Sequence, residues 1–249
     1  MRLLKMKAAL AVAAAACVTS QARAADRCDA MMSTQETASG KVTPEALTKL
    51  RDIGPIYRLD YSRDILALSP DGMTAAFQIH RADPDRNRYC VGIVTVSLAR
   101  RGSATVIDTS DELIIDQSPA YGWAAYSVGV PITNTPRWSP DGRWVLYLKR
   151  VGGRTEVWRA NASGVGPAKQ LTHNDQDVED FRIASDGKTI VFSTRPRQRE
   201  REAAIDDEGM RGWHFDERAL PIAGARPQAP AAQIEYFVAK LDGGPQRPA

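Results

Sequence analysis

The sequence offers few side chains for covalent chemistry. A serine hydrolase of the α/β type needs a G-x-S-x-G elbow between a strand and a helix, followed by an acid and a histidine. No such pentapeptide occurs in the 249 residues. Ser163-Gly164 follows Asn161-Ala162 in what reads as a strand-to-strand turn, the wrong context for a nucleophile. Of the three histidines, His80 is read at the end of a hairpin strand, His173 in an inter-strand loop and His214 in an insertion. None has a triad partner, and His80 and His173 read as hydrogen-bonded surface or packing residues. The run "NDQDVED" (Asn174 to Asp180) gathers four carboxylates but lacks the glycine at position six and the glutamate at position twelve of a calcium loop. No His/Cys cluster has zinc spacing. The chain therefore reads as carrying no catalytic triad, no metal site and no cofactor.

Binding chemistry is better represented, in one stretch. "RQREREAAIDDEGM" (Arg197 to Met210) joins helix formers to acids and a glycine stop, which predicts a short helix. Trp213, His214 and Phe215 follow beside Asp216 and Glu217, then a Pro/Ala-rich return. Long ordered excursions inside compact domains are often lids or binding loops. Asp207, Glu208, Trp213 and His214 are accordingly the candidate substrate-binding residues. The competing reading is a helical flap that only covers a sheet edge.

The elements that must position this insertion repeat along the chain. "ALSPDGMTAAFQIH" (Ala67 to His80), "RWSPDGRWVLYLKR" (Arg137 to Arg150) and "RIASDGKTIVFSTR" (Arg182 to Arg195) each give a strand end, a turn and an apolar strand. Proline presets φ at the first turn position, aspartate bonds the local backbone, and glycine tolerates the positive φ that closes the turn. Each copy is followed by a third strand and a glycine-containing segment, "TEVWRANASGVGPAKQLT" (Thr155 to Thr172) being the clearest, with a short fourth strand. The unit is thus four antiparallel strands. Asp71, Asp141 and Asp186 lie 70 and 45 residues apart, and the second spacing is close to the period of a propeller blade. The predicted fold is all-β, a partial or open β-propeller over residues 46–249, with a helical insertion at about 197–232 in the last unit; a β-sandwich with similar hairpins is the alternative. Lys41 to Ile65 read as parts of a further blade. The last unit reaches Gly243-Gly244-Pro245 and ends at Ala249, where the counterpart of Lys169 to Thr172 is expected, so it reads as unfinished and the chain as the front of a longer protein.

The first 24 residues read differently. Arg2, Lys5 and Lys7 precede the apolar run "AALAVAAAAC", and Ala22 to Ala24 supply small residues for cleavage, the pattern of an export signal. "AAAC", ending at Cys17, is a weaker lipoprotein-like alternative. Residues 25–45 read as an N-terminal tail, and no later segment approaches the roughly 20 apolar residues of a membrane helix. The formal charge of +3 falls once the signal leaves with four basic and no acidic residues, giving 29 basic against 30 acidic. A near-neutral chain points to neither nucleic acid nor an anionic membrane. In a periplasmic or secreted protein, Cys28 and Cys90 are either a disulfide or two unpaired thiols.

Ser69-Pro70-Asp71-Gly72, Trp138 to Gly142 with Val145 to Leu148, and Leu171-Thr172 leading into Ser185-Asp186-Gly187 resemble the TolB-like propeller repeat. Secreted propellers of this type often precede an α/β-hydrolase domain, as in the prolyl oligopeptidase family. Within it, "LRDIGPIYRLDYSRDILALSPDG" (Leu50 to Gly72), "NRYCVGIVTV" (Asn87 to Val96) and "GWHFDERALP" (Gly212 to Pro221) are most similar to lasso peptide isopeptidases, over about residues 41–245. The resemblance implies a propeller that binds and gates a lasso peptide substrate, with the serine nucleophile in a missing or separate hydrolase domain. Some dipeptidyl peptidases of the wider family hold a substrate amino terminus with paired glutamates. Asp207-Glu208 is only loosely similar, and that role is not carried over. The alternatives are a stand-alone TolB-like periplasmic propeller that binds a protein or ligand, and a glycan-active propeller.

Overall fold

The computed structural model describes residues 27–32, 42–53, 65–99, 104–116, 130–132, 134–219, 226–230 and 232–249. The export signal, its cleavage site and Cys17 lie outside the described residues. Three antiparallel sheets stack face to face in chain order. The first holds β1 (Arg51–Ile53), β2 (Leu66–Leu68), β3 (Thr74–Asp83), β4 (Arg88–Ser97) and β5 (Thr105–Ser110). A small pair follows, β6 (Ile115–Asp116) with β7 (Val130–Pro131). The second sheet is β8 (Arg137–Trp138), β9 (Trp144–Val151), β10 (Arg154–Asn161) and β11 (Lys169–Gln170). The third is β12 (Val178–Ile183), β13 (Thr189–Thr194), β14 (Glu235–Lys240) and β15 (Arg247–Pro248). Helices are α1 (residues 27–32), α2 (Pro44–Thr48) and α3 (Gln198–Gly209). The described residues form an arc of three stacked propeller blades.

Three readings change. Residues 51–53 do not open a further blade: they pair with Arg81 to Ile79 of β3, end to end with β2 on the same edge. The last sheet has its fourth strand. Arg247 and Pro248 sit opposite Val238 and Phe237, just as Lys169 and Gln170 sit opposite Arg159 and Trp158. His80 lies within β3, not at a strand end, and is fully buried.

The central strands are apolar on both faces because each face meets a different neighbour. In β9, Val145 and Tyr147 point to the first sheet, where they meet Ala76, Ile93 and Ile107. Leu146 and Leu148 point to the third, where they meet Phe181, Ile190 and Phe192. Polar ties cross the first seam: Trp138 Nε1 donates to the Ala67 carbonyl at 2.9 Å and Thr95 to the Ala162 carbonyl at 3.0 Å. Asp108 accepts from the Tyr147 hydroxyl at 2.5 Å and pairs with Lys149 at 2.8 Å. Burial, then the Asp108 carboxylate, pushes the Tyr147 hydroxyl well above its ordinary range. The Leu-Thr pair closes the outer edge of the second sheet. Leu171 enters the second seam, while Thr172 accepts from the Val157 N–H and donates to buried Glu156. Burial raises the Glu156 carboxyl despite the Thr172 and Asn174 hydrogen bonds.

The repeated turns have a second role besides closing hairpins. In the first two, serine donates to the turn aspartate at 2.5 Å, and the glycine N–H returns to the serine carbonyl. In the third, Ala184 has no hydroxyl, and Asp186 accepts from Lys188, Thr189 and the Thr189 hydroxyl instead. Successive turns also touch. A Cβ on Gly142 would lie 3.7 Å from Pro70, and one on Gly187 would lie 3.0 Å from Pro140. Each proline therefore rests on the glycine of the next turn.

Gly187→Ala should cost about 1–2 kcal/mol, because it combines a positive φ of 64° with the Pro140 contact. Gly72→Ala, at φ 71° with nothing within 4 Å, should cost less. Urea denaturation of both variants measures the difference, which is the contribution of turn-on-turn packing.

Candidate functional site

Antiparallel order sends alternate connections to opposite rims. One rim carries the three turns just described. The other carries the β9–β10 turn, the β5–β8 and β11–β12 connections and the insertion between β13 and β14. The insertion leaves after Thr194 and returns at Glu235, which are direct ladder partners, so the sheet is undisturbed.

The insertion is anchored through Asp177, which accepts from the Thr155 N–H at 2.7 Å, Arg150 at 3.2 Å and Arg199 of α3 at 2.9 Å. Arg199 also donates to the Gly153 carbonyl. Glu112 accepts from the Gly152 and Gly153 N–H groups at 2.7 and 2.8 Å, drawing the first sheet into the same anchorage. Partial burial pushes the Asp177 carboxyl upward, but the hydrogen bonds from Thr155 and Arg199 and the nearby arginine charges outweigh it, and its pKa is lowered. Glu179 ends raised: burial dominates over its pair with Arg195. The "NDQDVED" acids are thus spent on arginines, and among the described residues no group of three potential ligands can hold a metal.

The helix is polar nearly all round, with only Ile205 buried among its residues. Strong helix formers and pairs such as Arg197–Glu200 and Gln198–Glu202 support it locally. Its last turn carries Asp206, Asp207 and Glu208 at the negative end of the helix dipole, an unfavourable placement that a cation must offset. Arg218 does so for Glu208 with a two-pronged pair at 2.8 and 2.9 Å, and reaches Asp216 at 2.7 Å. Arg218, with the His214 N–H, holds the Glu208 carboxyl below its usual range; Arg218 does the same to Asp216. Trp213 folds back so that Nε1 donates to the Ile205 carbonyl at 2.8 Å. Its ring lies against Gly209, where any Cβ would clash at 2.7 Å.

The structure therefore brings Glu208, Trp213 and His214 together in one turn-back, but not in one role. Glu208 and one edge of Trp213 are used internally. Asp207 and the His214 ring are exposed, as are Met210 at 86% and Phe215 at 82%. A cavity lies between the first and second sheets, lined by Gln78, Asp108, Glu112, Tyr147, Lys149 and Arg150. None of the four candidates lines it. Sequence reasoning missed the roles of Asp177, Arg199 and Arg218, whose partners lie from 2 to 46 residues away in no recognisable spacing.

Among curated proteins, the chain matches lasso peptide isopeptidase AtxE2 of Asticcacaulis excentricus, with 38% identity over 210 residues. This chain and that isopeptidase are homologues. Two solved structures of the isopeptidase align with it at 38% identity. One, a serine-to-alanine variant with Astexin3-dC4 bound, gives a TM-score of 0.70 over 85% of this chain. The other, ligand-free, gives 0.69 over 84%. The chain spans 30% of the curated relative and 32% of each solved chain. No protein-family model matches it. Among the described residues no helix is long and apolar enough to cross a membrane.

Asp177 gives a signed pH prediction. Its carboxyl is depressed, so its stabilisation is complete above the ordinary carboxylate pKa of about 3.9 and is lost as pH falls through the lowered value. Hydrogen exchange in α3 should be slow at pH 6 and accelerate below about pH 4. Asp177→Asn should raise α3 exchange about tenfold at pH 6 and flatten the acid dependence. Unchanged α3 exchange in the variant would show that the anchorage lies elsewhere.

Proposed function

We propose that this chain is the substrate-binding and gating propeller portion of a secreted, lasso peptide isopeptidase-like serine peptidase, and that it is not catalytic by itself. The observation that carries the reading is the 38% identity to an isopeptidase across 84% of this chain, over only 30% of that protein. Consistent with it, the sequence has no G-x-S-x-G elbow. The nucleophile, oxyanion hole and remaining triad groups would come from an α/β-hydrolase domain, in a longer product or a separate chain. The leading segment fits export to the periplasm or beyond.

The substrate is a peptide, a lasso peptide by analogy with Astexin3-dC4 on the homologue. The insertion meets it at the rim. Phe215, Met210 and the open face of Trp213 supply apolar contact; His214 supplies a hydrogen-bonding ring. Asp207, at the negative end of α3, favours a cationic group of the ligand. The Glu208–Arg218–Asp216 clamp holds these groups in place before the peptide arrives, which lowers the ordering cost of binding.

The full chain, mixed with a fluorescent astexin-type lasso peptide, should bind it without cleaving the isopeptide bond, read by anisotropy and mass spectrometry. Phe215→Ala and His214→Ala should each weaken binding about tenfold with thermal stability unchanged. Cleavage by the chain alone would sink the non-catalytic assignment, and absence of binding would remove the substrate role. In the native organism, a product far heavier than 27.2 kDa that takes up a serine-directed fluorophosphonate would place this chain within a longer peptidase.

A further inference from the structure

The first sheet has a second apolar face, turned away from the second sheet, and no other sheet among the described residues covers it. Phe77, Ile79 and Val94 form that face, and helix α1 lies on it with Cys28 and Met32 buried to 2% exposure. The seat is built for this helix. Gly92 faces it without a side chain: a Cβ there would lie 3.5 Å from Met32 and 3.2 Å from Ile79. Polar ties surround the apolar contact on three strands. Arg51 of β1 and Arg81 of β3 donate to the Met31 carbonyl. Arg27 pairs with buried Asp83 at 2.6 Å and with Asp85, and Thr109 of β5 donates to Asp29. Cys28 and Cys90 of β4 are joined by a disulfide, with Cα atoms 5.3 Å apart.

We propose that α1 is a covalently latched cap on the outer face of the first blade, and that the Cys28–Cys90 bond is the latch, closed once during maturation. Most helical stability in proteins comes from tertiary packing rather than from the helix itself, so α1 depends on its docking. Its apolar contact rests mainly on Met32 and the cystine. The polar ties reach the rim, where Arg27 and Asp85 meet water. The bond converts a weak, reversible docking into a permanent one. In its formation the two thiols release two protons and two electrons, the S–S bond forms, and a disulfide oxidant of the compartment is reduced to two thiols. Before that step the face bearing Phe77, Ile79 and Val94 is open to other apolar surfaces; afterwards both sulfurs are buried and the latch does not reopen under native conditions. The inference is independent of the peptide-binding proposal.

Methionine footprinting tests it. The exported full chain and its Cys28→Ala/Cys90→Ala variant are exposed briefly to hydrogen peroxide, and sulfoxide is measured at Met32, with the 86% exposed Met210 as an internal reference. In the wild type Met32 should oxidise far more slowly than Met210. In the variant its rate should rise at least about tenfold towards that of Met210, while hydrogen exchange in β13 and β14 stays unchanged. Continued protection of Met32 without the bond would overturn the proposal, because the non-covalent ties would then suffice. Loss of β13–β14 protection alongside that of Met32 would also overturn it, showing a staple of the whole fold. Arg27→Ala with the bond intact should leave Met32 protected; exposure there would mean that the ion pair, not the bond, closes the cap.

Discussion

Each blade of this chain must have both faces covered, and nearly everything else in the structure answers to that constraint. A four-stranded sheet with alternating side chains buried on both sides cannot stand alone in water. The second blade meets the requirement through its neighbours: Val145 and Tyr147 serve one seam, Leu146 and Leu148 the other. Among the described residues, the first blade meets another sheet on one face. Its other face takes a helix from the start of the described chain. Sheet stacking and helix docking are two solutions to one problem, the covering of an apolar sheet face.

Covering the faces leaves the rims free to differ. On one rim the turns are nearly invariant because they are packed on one another, proline on glycine, and hold the spacing of the blades. On the other rim the connections diverge in length, from the tight Gly152–Gly153 turn to the excursion between Thr194 and Glu235. A rigid scaffold with one variable rim is the usual setting for recognition by loops. The insertion follows that logic. Its helix contributes little apolar surface, so it is placed by charge: Asp177 draws in Arg199, and Arg218 neutralises the acidic end of the helix. Those ion pairs are partly exposed and individually weak. Their effect is to orient Phe215, Met210 and His214 outward, more than to stabilise the fold.

The sequence by itself determined the blades. The Asp-Gly turns at 71, 141 and 186, the apolar strands after them and the Leu-Thr pair are local signals, because hairpin closure depends on the φ preferences of adjacent residues and burial on both faces demands continuous apolar runs. The helix at 198–209 was legible for the same reason. The fourth strand of the last blade was not: a two-residue strand has no periodicity, and only its pairing with Val238 and Phe237 reveals it. Residues 51–53 were also misplaced, since a three-residue strand can extend any available edge.

Tertiary structure alone decided the surroundings of the candidate side chains. Glu208 and Asp207 are neighbours in sequence, yet one is clamped by Arg218 and the other faces solvent. The difference arises because successive residues on a helix point about 100° apart and only one direction meets the returning loop. Tyr147, Lys149 and Asp108 converge across a seam 39 to 41 residues wide in sequence, a distance at which no spacing rule operates. Cys28 and Cys90 are brought together because the helix carrying Cys28 covers an apolar face, and composition cannot say which surface a short segment will cover. Local sequence specified the elements. Long-range burial and charge pairing specified which side chains stay exposed.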